Sequence, residues 1–208
     1  MIEDRYPDAD VLAQQRHWDE ATRQVVLERV NNVPRFEYFD SRRQETLIAL
    51  CERIIPQAHR SPERRVPIAP WIDRHCRTGE EPGYRYDDLP PIAEAWERGL
   101  DGIEQAAQAL FGERFAELDC ARQDAVLERV RRGDPPGDAW RTLPAQRWWI
   151  SVVLRQIAGV YYAHPYAWDE IGFGGPAYPR GYFALNHGAP EPWEPREVGE
   201  RNNGRNSR

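Results

Sequence analysis

The sequence predicts an all-α fold: an irregular helical bundle around a central apolar helix at about 145–163, followed by a long Gly/Pro/aromatic-rich C-terminal arm. Three observations predict it. Apolar residues recur at i, i+3, i+4 and i+7 in successive segments, the period of a helix with one buried stripe. No run alternates apolar and polar residues as a half-buried strand does. Capping residues, prolines and glycines punctuate the periodic stretches where helices should start and stop.

Val11–Val30 reads as the first helix, with Trp18, Ala21, Val25 and Val26 on one side and Asn31, Asn32 and Pro34 ending it. Asp40 or Ser41 caps the second, and Ser41 with Gln44 has capping-box spacing. Leu47, Leu50, Cys51, Ile54 and Ile55 then form a continuous stripe that Pro56 terminates. A Pro-rich bend leads to a short helix carrying Ile68, Trp71, Ile72 and His75, closed by Gly79. His75 shares the apolar face with Cys76 and is expected as a core or boundary histidine.

Pro90-Pro91 presets the first turn of a long helix lined by Ile92, Trp96, Leu100, Ile103, Ala107, Leu110 and Phe111. Gly99 and Gly102 either weaken that helix by roughly 1 kcal/mol each relative to alanine or allow close approach of a neighbouring backbone. Asp119 caps the next helix, which runs through Val126, Leu127 and Val130 to Gly133. Pro144 opens the segment Ala145 to Ala163, whose apolar residues cover nearly the whole circumference, so it is expected at the centre.

Composition narrows the chemistry. All 28 basic residues are arginine, which removes a Schiff-base lysine and a Walker-type phosphate-loop lysine. The net charge of −6 disfavours nucleic-acid binding, which needs a basic face. No apolar run is long enough to enter a membrane. Cys51, Cys76 and Cys120 lie far apart with no C-x-x-C, so they are expected as ordinary thiols in a reducing compartment. The start, Met1-Ile-Glu-Asp-Arg-Tyr, carries neither an apolar signal core nor a twin-arginine pair, so the expected location is the cytoplasm unless a partner's signal exports the protein.

From His164 the pattern changes to HPYAWDEIGFGGPAYPRGYFALNHGAPEPWEP, without helical period and rich in rings. The organisation expected is a helical domain at 1–163, an extended aromatic arm at 164–195 and a frayed polar tail at 196–208. The arm either folds back over its own helices or fills pockets on another protein, since aromatic anchors beside an arginine dominate interface energetics. Gly172-Phe-Gly174-Gly175-Pro176-Ala177 matches the letters of a dinucleotide turn, but it follows no strand and its prolines block a helix after it. His164, Asp169, Glu170 and His187 are the residues a stand-alone metalloenzyme would use, although no i, i+4 pair organises them. Ser151 lacks the G-x-S-x-G turn of a nucleophilic serine.

The stretches TLIALCERIIP (Thr46 to Pro56) and YYAHPYAWDEIGFGGPAYPRGY (Tyr161 to Tyr182) resemble the gluconate 2-dehydrogenase subunit 3 family. The likeness rests on His164, Pro165, Trp168, Ile171, Gly172, Phe173, Gly175 and Pro176, and it extends loosely from Leu27 to Trp193. The resemblance implies a noncatalytic accessory subunit that assists folding of a large FAD-dependent flavoprotein of the glucose-methanol-choline class. Such partners oxidise sugars, sugar acids or alcohols. It implies no cofactor, metal or catalytic residue in this chain, with FAD held by the partner. Tyr166, Trp168, Phe173, Tyr178, Arg180 and Tyr182 are then the expected partner contacts. In that family a twin-arginine signal often carries the complex through export, and this sequence departs from the pattern there. A self-contained helical scaffold is the remaining alternative.

Overall fold

Asp40 shows how the chain starts its helices: in extended conformation, it accepts the Arg43 amide at 2.9 Å and satisfies a donor the first turn leaves open. The computed structural model describes residues 5–80, 83–183 and 190–198, and among these the regular elements are all helical. They are α1 (Glu20–Asn31), α2 (Ser41–Ile54), α3 (Ile68–Thr78), α4 (Ile92–Phe111), α5 (Cys120–Arg132), α6 (Ala145–Trp148), α7 (Arg155–Ala163) and α8 (Pro165–Trp168), with a π-helical turn at Trp149–Leu154 and short 3-10 turns between.

The chain divides into two compact units that do not follow sequence order. One comprises Pro34–Glu63 and Pro67–Val160; the other, the described residues of Met1–Val33, Arg64–Val66 and Tyr161–Arg208. In the larger unit α4 packs against α2, α3, α5 and α6. Its buried face carries Trp96, Leu100, Ile103 and Ala107 as the periodicity predicts, whereas Leu110 is exposed. The notches at Gly99 and Gly102 are filled by indoles. A Cβ on Gly99 would lie 2.1 Å from Trp148 Cε2, and one on Gly102 would lie 2.5 Å from Trp140 Cε2. Trp148 stands edge-on to both Trp96 and Trp140, so three indoles and two glycines form one packed layer.

Two buried carboxylates in this unit hold separate segments together. Asp73 on α3 accepts the amides of Glu37 (2.7 Å), Tyr38 (3.1 Å) and Phe39 (2.9 Å), fixing the strand-like lead into α2. Glu104 on α4 accepts the Thr46 hydroxyl at 2.6 Å and the Phe115 amide at 3.3 Å.

Several expectations need correction. The first helix is broken: Val11–His17 is a 3-10 turn, and Asp19 accepts the Thr22 amide to start α1 anew, because its carboxylate competes for amides a continuing helix would use. Val25 is exposed and Val26 buried. Ser41 and Gln44 form no capping box, since Asp40 takes the cap and Gln44 Nε2 reaches the Phe39 carbonyl instead. Pro90 and Pro91 precede the first turn of α4 and do not enter it. Residues 145–163 are helical throughout and bury Trp148, Trp149, Val152, Val153 and Ile157, but Ile150 and Tyr162 face outward.

The three thiols sort by depth: Cys51 and Cys76 are buried and Cys120 is exposed. Burial raises both inner thiols, Cys76 to about 12. A thiol reagent is therefore expected to modify one site in the native chain and all three after denaturation. Loss of the native reaction in Cys120→Ser checks the assignment.

Candidate functional site

The smaller unit is organised by the step His164-Pro165 at the end of α7. His164 is extended, and its Nδ1 accepts the Tyr166 amide at 3.2 Å, capping α8, whose first helical position is Pro165. Its Nε2 lies 3.0 Å from the Arg29 carbonyl, which assigns the ring proton to Nε2. Arg29 returns the bond, Nη1 donating to the Ala163 carbonyl at 2.7 Å. The end of α1 is thereby latched to the start of the arm.

The next residues repeat that arrangement. Asp169 accepts the Val11 amide at 2.9 Å and Arg64 Nη2 at 3.2 Å, while Glu170 accepts the Tyr161 hydroxyl at 2.6 Å. Trp168 is 6% exposed and packs in a core with Val11, Trp18 and Val26; its indole N–H donates to the Tyr162 carbonyl at 2.7 Å. The glycines that follow are packing notches. At Gly172 (φ 68°) a Cβ would lie 2.5 Å from the Tyr6 ring, and at Gly175 (φ 85°) it would lie 2.7 Å from Val11 and 2.9 Å from Trp18. Side chains of the N-terminal segment thus pack directly against these two glycines.

The outer half of the arm is held differently. Arg180 Nη1 donates to Gln14 Oε1 at 3.0 Å, and the guanidinium stacks 3.9 Å from the Trp193 ring centre. Tyr182 also lies against Trp193. The Phe183 amide donates to buried Glu191, whose own amide donates to Glu194 at 2.7 Å. Around this framework Tyr178, Tyr182 and Phe183 are 65%, 60% and 64% exposed, with Ile171 and Phe173 exposed beside them in sequence.

The six expected contacts therefore separate. Phe173, Tyr178 and Tyr182 are exposed, and Arg180 is half-buried at their root. Tyr166 is half-buried beneath the Arg64 guanidinium, 4.3 Å from its ring centre. Trp168 belongs to the unit's own core, because its partners come from the other end of the chain. Phe183, absent from the expected set, is among the most exposed rings of the arm; its place in the same Gly/Pro-rich run was the available signal.

His164, Asp169 and Glu170 each spend their polar atoms on the latches above, and His187 lies outside the described residues, as do tail residues beyond 198. Among the described residues no cluster of three His, Cys, Asp or Glu is arranged to hold a metal. Ser151 lies on the π-helical turn and lines a shallow cleft with Tyr84, Tyr86 and Arg155. No described helix is long and apolar enough to cross a membrane.

A family model described as gluconate 2-dehydrogenase subunit 3 matches residues 41–175. No curated protein and no solved structure matches the chain. The family match ends at Gly175, short of Tyr178, Arg180, Tyr182 and Phe183.

Proposed function

This chain belongs to the gluconate 2-dehydrogenase subunit 3 family, and from that membership we propose that it is a noncatalytic small subunit that binds and stabilises a large FAD-dependent dehydrogenase of the glucose-methanol-choline class. The substrate of the complex is a sugar, sugar acid or alcohol, and the flavin sits in the large subunit. One observation carries this reading: the base of the arm is latched to α1 and the N-terminal turn, while Tyr178, Tyr182 and Phe183 project outward. A rigid base with exposed aromatic tips is a preorganised contact surface, because ordering costs have already been met within the chain.

The test is co-expression of the tagged chain with a large flavoprotein subunit of that class. Tyr178→Ala, Tyr182→Ala and Phe183→Ala together are expected to weaken the complex at least 100-fold, at roughly 2 kcal/mol or more for each true anchor. The isolated variant should keep its helical signal and melting temperature, because exposed rings add little to its own stability. Undiminished co-purification of the triple variant sinks the arm as the contact surface.

A further inference from the structure

Arg180 sits at the root of the exposed rings with only part of its hydrogen-bonding capacity used. Nη1 reaches Gln14, but Nε and Nη2 are shielded from water and have no acceptor. The indole N–H of Trp193, the ring on which Arg180 stacks, is shielded and unpaired as well. Three buried donors thus meet in one place without an acceptor, and among the described residues no carboxylate pairs with Arg180. Burial pulls its pKa below the ordinary arginine value, with only the Tyr182 hydroxyl opposing. Buried polar groups in native proteins are almost always satisfied, so a shielded guanidinium edge that meets no acceptor among the described residues points to one that is missing.

The identity of the orphan nitrogens narrows the acceptor. Nε and Nη2 form the edge of a guanidinium that takes one carboxylate in two parallel bonds. This chain uses that edge elsewhere: Arg43 on Asp101 (3.0 and 2.8 Å), Arg53 on Asp124 (2.8 and 2.7 Å) and Arg131 on Glu128 (2.6 and 2.7 Å). With 34 carboxylates to 28 arginines, the chain has acidic groups to spare, yet none of the described ones pairs with Arg180.

We propose that the Nε/Nη2 edge of Arg180 is the receptor for one carboxylate, an aspartate or glutamate side chain of the large subunit, which it takes in a bidentate fork. The proposal rests on the assembly reading above and specifies what the partner must present. Tyr178, Tyr182 and Phe183 would pack around the ion pair and exclude water from it, the arrangement in which a charge pair contributes most to an interface.

The test uses the co-expressed complex with Arg180→Gln and Arg180→Lys. The glutamine variant is expected to weaken binding about 30-fold or more, as truncation of a buried ion pair does. The lysine variant should recover little of it, because an ammonium is a point charge and not a fork. The isolated glutamine variant should keep its helical signal, since what it gives up is the Gln14 bond and the stack on Trp193 and not a contact of the helices. Carboxamide scanning of the large subunit's surface acids should then find one residue whose effect vanishes in the Arg180→Gln background. Wild-type affinity in Arg180→Gln, full rescue by lysine, or additive effects at every partner acid overturns the proposal. Failure of the unaltered chain to bind the large subunit at all overturns the assembly reading itself and the proposal with it.

Discussion

Asp73→Ala is expected to destabilise the larger unit by about 4 kcal/mol, from the loss of charge-assisted bonds and the desolvated donors left behind. The side chain is fully buried, and all its recorded partners are backbone amides, those of Glu37, Tyr38 and Phe39. These three residues lead into α2, so removing the carboxylate frees the segment that aims the Leu47/Leu50 stripe at α4. In a chain of this size the drop corresponds to roughly 10 °C in melting temperature. Asp73→Asn should suffer most of the same loss, because one of its two acceptors becomes a donor facing other donors. Thermal unfolding followed by helical circular dichroism measures both, and a shift under ~2 °C for alanine, less than 1 kcal/mol on the same scale, would show that solvent readily replaces the carboxylate.

Trp148→Ala is expected to cost about 3–5 kcal/mol, the range for deleting a fully buried aromatic. Its ring is completely shielded, stands 5.8 Å from Trp96 and 5.5 Å from Trp140 between ring centres, and fills the notch of Gly99. The same contact makes Gly99→Ala unfavourable despite its ~1 kcal/mol gain in helix propensity, since overpacking costs typically 1–3 kcal/mol. Together the two substitutions should be strongly non-additive: once the indole is gone, the methyl at Gly99 meets open space and its propensity gain is realised. A double-mutant cycle by denaturant unfolding gives the coupling. Simple additivity would mean that the indole and the notch do not meet.

What can be read from this sequence follows the range of the interactions involved. The stripe of α2, the Asp119 start of α5 and the closures at Gly79 and Gly133 depend on residues within a few positions of one another, and they appear where the periodicity predicts them. Gly99 and Gly102 pointed to a close neighbour because a helix carries such residues at a cost, but the neighbours are indoles some forty residues away and not the backbone expected. The Asp19 break in the first helix, the π-helical turn at Trp149–Leu154 and the three-amide grip of Asp73 depend on competition for backbone donors that periodicity does not encode. In the arm, Trp168 and Tyr182 look equivalent as rings in a Gly/Pro-rich run. Val11, Trp18 and Val26, from the opposite end of the chain, bury the first and leave the second outside.

The smaller unit draws its residues from both chain ends, and the bond between the Val11 amide and the Asp169 carboxylate spans 158 positions. At ribosomal rates of ~5–20 residues per second, the two groups emerge on the order of 10 s apart. Throughout that interval Trp18 and Val26 have no Trp168 to close over them, and the aromatic tips have no base to stand on. The arm consequently gains its base only once synthesis has passed Asp169, long after α1 has emerged.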